Sequence, residues 1–142
     1  MISKQSAVRW VSNERIIFTT EPTNSSAKSL SAYALWGMNI DGSKKKTLYE
    51  FKTSQGALAR PKLTSLLPDE ENFVMVKINE RRGTVDDYYK MNIFTGAKKK
   101  VASGPDIDKE EWLANVVEKA DGTPLAAVSN VGDTWRIWRY LP

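Results

Sequence analysis

The sequence predicts an all-β protein of antiparallel strands, and three observations carry that prediction. First, the stretch Ala32 to Lys46, AYALWGMNIDGSKKK, comes back as Tyr88 to Lys100, YYKMNIFTGAKKK. Both copies hold a Met-Asn-Ile core, a turn ending in Gly and three lysines, the order of an inner strand, a tight turn and a basic return strand. Second, short runs rich in β-branched and aromatic residues alternate with turn residues along the chain. Third, helical spacing is absent. The nearest candidate, Ile107 to Lys119, contains Val116-Val117 and runs into Asp121-Gly122, which favours a strand.

In order, Ala7 to Val11 (AVRWV) and Arg15 to Thr20 (RIIFTT) flank the polar break Ser12-Asn13-Glu14 and read as a hairpin. Pro22 to Leu30 is Ser-rich and aperiodic, a loop. In the next strand Trp36, Met38 and Ile40 fall on one face and Tyr33 and Leu35 on the other, so covering layers are expected on both sides. Asp41-Gly42 suits a tight turn, Lys46 to Phe51 returns, and Thr53 to Arg60 connects to a second round. That round reads as Lys62 to Leu67, the turn Pro68-Asp69-Glu70-Glu71, Phe73 to Ile78, a loop at Asn79 to Thr84, Asp86 to Phe94, a turn at Thr95-Gly96, and Lys99 to Ala102. The interval between Gly42 and Gly96 exceeds that between Met38 and Met91 by one residue, so the second turn carries one extra. A third round follows Gly104-Pro105-Asp106 with three strands, Trp112 to Lys119, Pro124 to Ser129 and Trp135 to Tyr140, joined at Asp121-Gly122 and Val131-Gly132-Asp133. Four up-and-down strands in about fifty residues match a propeller blade with one long loop. The expected architecture is a single partial β-propeller domain over residues 1–142. Its four-stranded, blade-like units fall at about 7–52, 61–103 and 111–142, two complete and the third partial.

The 142 residues contain no cysteine and no histidine. That removes disulfides, thiol nucleophiles, Ser-His and Cys-His pairs and the usual zinc sites. Nor is there a Gly-x-Ser-x-Gly elbow, a phosphate loop, a dinucleotide fingerprint or an EF-hand loop. The chain is therefore expected to be non-catalytic on its own and to use no cofactor or metal. The net charge is +4, from 21 Lys plus Arg against 17 Asp plus Glu. The triplets Lys44–Lys46 and Lys98–Lys100 read as equivalent, solvated strand ends that guard sheet edges, so no nucleic-acid partner is expected. No apolar run approaches the ~20 residues of a membrane helix, and Met1 to Ser6 lacks the pattern of a secretion signal. Periplasm and cytoplasm both remain open.

Asp69-Glu70-Glu71 and Asp86-Asp87 have the composition of a carboxylate pair or a cation site. Their places in a Pro-initiated turn and at a loop-strand junction point instead to solvated turn residues. A hydrolase built on Asp69, Glu70, Asp86 and Asp87 is the weakest reading. Of the five tryptophans, Trp36 and Trp135 are expected in the cores between sheets. Trp138, sharing a face with Arg136 and Tyr140, is the one expected at a surface. Trp135, Arg136, Trp138, Arg139 and Tyr140 together make the candidate ligand or interface surface, suited to saccharide or peptide.

Three features in order resemble the N-terminal β-propeller of the prolyl oligopeptidase family of serine peptidases, in particular its dipeptidyl and acylaminoacyl peptidase-like members. They are Val8-x-Trp10 through Arg15-Ile16-Ile17-Phe18; Leu35, Asn39, Asp41 and Gly42 with the basic return strand, followed by Leu66-Leu67-Pro68-Asp69; and Trp112-Leu113 with Asp121-Gly122-x-Pro124. The resemblance implies a non-catalytic scaffold that caps a C-terminal α/β-hydrolase domain and limits substrate access to small peptides. No catalytic motif of that family lies here, so no functional residue carries over. A closed ring needs more blades than these, so a partial propeller is expected to complete its exposed faces through a homo-oligomer or the missing hydrolase domain. The alternative is a free-standing β-sheet module that binds saccharide or peptide.

Overall fold

A computed structural model describes residues 5–21, 33–50, 59–82 and 84–141. The loop expected at Pro22 to Leu30, the connection over 53–58 and the end of the return strand at Phe51 lie outside the described residues. The described residues form eleven strands and no helix. Strands β1 (Gln5–Trp10), β2 (Arg15–Thr20), β3 (Ala34–Asn39) and β4 (Lys46–Glu50) make the first sheet, in that order and antiparallel throughout. Strands β5 (Pro61–Leu66), β6 (Phe73–Arg82), β7 (Val85–Asn92) and β8 (Lys98–Ala102) repeat the pattern in the second. Strands β9 (Trp112–Glu118), β10 (Pro124–Val131) and β11 (Thr134–Arg139) form a three-stranded third sheet.

One element departs from the sequence expectation. The polar run Asn79 to Thr84 reads as a loop, yet β6 continues to Arg82, which pairs with Val85 across an irregular register. Its charged residues have partners that a loop would not need: Glu80 accepts hydrogen bonds from two tyrosines, and Arg81 holds Asp87.

The two repeated hairpins show where the extra residue went. In the first, the Asn39 N–H donates to the Ser43 O at 2.9 Å; in the second, the Asn92 N–H donates to the Ala97 O at 2.9 Å, one residue further on. Beyond the turns the registers agree again, because Gly37 faces Lys46 just as Lys90 faces Lys99. The first hairpin regains its residue as a bulge at Lys44, the one non-glycine with positive φ (49°) among the described residues. The lysine triplets are therefore not equivalent: Lys45 and Lys46 correspond to Lys98 and Lys99. Nor are they all solvated ends. Lys98 pairs with Glu80 at 2.7 Å and Lys100 with Asp87 at 3.1 Å.

The sheets stack in chain order. Between the first and second lies an apolar core that includes Ile17, Leu35, Leu48, Val74, Val76, Ile78, Met91 and Ile93. Arg15 is buried in the same seam, at 1% exposure, and ties the sheets together. Its guanidinium donates to the Ile93 O at 2.8 Å, the Asn39 Oδ1 at 3.0 Å and the Lys44 O at 3.1 Å, and lies 4.5 Å over the Phe94 ring. Gly37 makes this possible, since a Cβ there would stand 2.6 Å from Arg15 Nη2. The opposite face of the second sheet meets the third. Lys77 and Tyr88 both reach Glu118 at 2.8 Å, and the Thr64 and Ser65 hydroxyls donate to the Gly122 and Ala120 carbonyls. Among the described residues the second sheet is thus covered on both sides, whereas the first and third each keep one outer face.

Candidate functional site

Side chains alternate along β11, and the alternation splits the predicted surface in two. Arg136, Trp138 and Tyr140 point toward the second sheet. Trp135, Ile137 and Arg139 point away from it. Trp135, expected in a core, is 61% exposed, and Ile137 is 81% exposed. Trp138, expected at a surface, is half-buried, and its Nε1–H donates to Ser129 Oγ at 2.7 Å. Both faces of this strand are apolar enough to be core, so only the position of the neighbouring sheet decides which is covered.

The inward residues end on a carboxylate that sequence reasoning did not single out. The Glu111 side chain is fully buried where the chain enters β9. It accepts a hydrogen bond from Ser129 Oγ, one from Arg136 Nη1 at 3.2 Å and one from the Asp108 N–H at 3.1 Å. Arg136 also pairs with Asp108 at 3.3 Å. Donation from Ser129, helped by the Asp108 N–H and the Arg136 charge against the effect of burial, holds the Glu111 carboxyl below its usual range. A carboxylate so held is a poor general base, and Ser129, wholly buried, has no room for a substrate. The cluster locks β9, β10 and β11 to the preceding connection.

A second buried carboxylate, Asp87, was expected to be a solvated junction residue and is 0% exposed instead. Arg81 grips it with two hydrogen bonds of 3.1 Å, Lys100 adds one of 3.1 Å and the Gly104 N–H one of 2.8 Å. Burial alone would push its carboxyl up; these partners outweigh burial and hold it below the ordinary value. Asp86 beside it pairs with Lys62, while Asp69, Glu70 and Glu71 are exposed in the turn as expected. Asp69 and Glu70 are not brought together with Asp86 and Asp87, and among the described residues no group of His, Cys, Asp or Glu could hold a metal.

The outward residues make a different surface. Trp112 (53% exposed), Val117, Trp135 and Ile137 share the outer face of the third sheet. Trp112 and Trp135 both lie opposite Asn130, one on each flanking strand. On the first sheet, Val8 and Trp10 (59% exposed) share the outer face with Ile16, Phe18, Trp36 and Met38. There Trp36 stacks on Phe18 at 6.4 Å and donates to Thr20 Oγ1, so it is half-covered by its own sheet rather than enclosed between two. No protein family's sequence profile matches this chain, and no curated protein matches it either.

Proposed function

We propose that the chain is a non-catalytic scaffold, a run of propeller-type blades whose end faces dock on further sheets. In this reading it plays the part that the propeller cap plays in prolyl oligopeptidase-like peptidases. One observation carries the proposal: the middle sheet is covered on both sides, while each end sheet presents an apolar outer face studded with tryptophan. Exposed apolar surface of this kind marks a contact site. Copies associating through the unlike faces, each first sheet on another's third, would do so head to tail. Light scattering coupled to size exclusion tests this. The expected result is an oligomer that dissociates when Trp135 and Ile137 are both changed to Glu. A monomer at all concentrations up to the millimolar range sinks the self-docking form.

A second reading is favoured by the row Trp112-Asn130-Trp135. Two aromatic faces flanking an amide on one flat sheet are suited to stacking on sugar rings and bonding their hydroxyls, in a free-standing saccharide-binding module. Strand spacing puts the two indoles ~10 Å apart. Titration with soluble oligosaccharides while following tryptophan fluorescence separates the two: a saturable shift lost in Trp135→Ala favours this module, and no shift removes it.

A further inference from the structure

We infer that the trough between β1 and β5 is a binding site for a short extended peptide with free ends. Three clefts of about 460, 270 and 440 Å³ meet there. The central one lies between Val8–Trp10 of β1 and Leu63–Leu66 of β5; it shares Arg9 and Leu63 with one neighbour and Leu66 with the other. The trough follows β5 for its length, about 20 Å or six residues at ~3.3 Å each, and on the other side runs from Val8 of β1 into the turn at Glu14.

Its floor is apolar and its walls are strand edges. Leu63 and Val11 lie partly buried against the core. Among the described residues each of β1 and β5 pairs on one side only, leaving the other side's backbone groups without a strand partner. For β1 the alternation identifies them. Val11 N–H bonds to the Arg15 O, so Arg9 is the next residue to spend its groups on β2, and Val8 and Trp10 present theirs to the trough. That is the arrangement by which an extended chain adds to a sheet.

The two ends carry opposite charge. At the end where β5 begins, Arg60 and Lys62 line the cleft together with Arg9, which also lines the central one, against the single acid Glu21. At the other end Glu14 and Glu71 line it with no cation. Arg9, Glu14 and Glu71 form no ion pair among the described residues, while Arg60 stacks on Tyr33 and Lys62 reaches Asp86 at 3.5 Å. A peptide lying antiparallel to β1 would place its carboxylate among the cations and its amine between the glutamates. Charge therefore selects the orientation.

The probe is a pool of hexapeptides with Val, Ile or Ala at alternate positions and Thr between, prepared with free termini, N-acetylated, C-amidated, and capped at both ends. Isotope-labelled protein would be followed by amide NMR shifts. The expected result is saturable binding of the free peptide, with the largest shifts at Val8 and Trp10. Capping both ends should weaken it at least tenfold. Arg9→Glu should weaken the free peptide about fivefold but leave the C-amidated form unchanged, and Glu14→Lys should do the same for the free peptide against the N-acetylated form. All of these residues are exposed, so the variants fold. Equal affinity for free and capped peptides, shifts centred on Trp112 and Trp135, or no binding at millimolar peptide would each overturn the proposal.

Discussion

Asp87 shows how a charged residue becomes structural. A carboxylate without water stays ionised only if donors replace the water, and Arg81, Lys100 and the Gly104 N–H do so. Asp87→Asn should cost about 3 kcal/mol, because two cations lose their counter-charge while the buried site remains. Its pH signature follows from the sign of the shift. A carboxyl held below its ordinary value, near 3.8, contributes fully above that pH and loses its contribution as pH falls through the depressed value. Acid unfolding below about pH 4 should therefore be shallower in Asp87→Asn, as read by circular dichroism. Tyr140 has the opposite sign. Burial, then the charges of Asp86, Asp87 and Glu118, push its hydroxyl up to about 12. Its contribution is whole below pH 10 and is lost as pH rises toward 12. The hydroxyl has no hydrogen-bond partner among the described residues, while the ring packs edge-on against Tyr88 at 6.1 Å. Tyr140→Phe should leave neutral stability within about 0.5 kcal/mol and make alkaline unfolding less steep. Neither Asp87 nor Arg15 was legible as buried, since a charged residue in a strand reads as solvent-facing until its partners are known.

At the scale of elements, the turn glycines give a matched pair. Gly42 and Gly96 both sit at positive φ, 85° and 76°. Around Gly42 an added Cβ would meet nothing within 4 Å, whereas at Gly96 it would stand 2.4 Å from the Leu48 carbonyl oxygen. Gly42→Ala should cost only the left-handed penalty, about 1 kcal/mol. Gly96→Ala should cost about 3 kcal/mol, since the first sheet's backbone must also move. Urea midpoints of the two variants would compare them directly, and equal losses would mean that the sheets are not in contact at this turn. The hairpins themselves were readable in the sequence, because turn chemistry and strand alternation are local. The bulge at Lys44 was not, since three lysines in a row look the same whether or not one of them is left-handed. The length of β6 was missed for a similar reason: Asn79 to Arg82 have loop composition and stay extended through contacts made far away in sequence, such as the Tyr49 hydroxyl on Glu80.

For the whole molecule, sequential pairing of neighbouring strands was legible, because each short turn leaves its two strands little choice but to pair. Which face of each sheet finds a neighbour was not, and Trp135 and Trp138 change places for that reason. The stack makes a prediction about cooperativity. Strands β6 and β7 are central in the one sheet covered on both faces, and Val76, Ile78 and Met91 there are fully buried. Strands β1 and β11 are edges, each belonging to a sheet with one open face. Local opening costs least where fewest apolar contacts break, so amide exchange should be slowest in β6 and β7 and fastest in β1 and β11. Concentration adds a further arm. If copies dock through their outer faces, raising the protein concentration should slow exchange in the first and third sheets and leave β6 and β7 unchanged, because only the outer sheets gain a covering layer. Uniform slowing would mean that association stabilises global folding rather than the end sheets, and no slowing would mean that those faces stay open in solution.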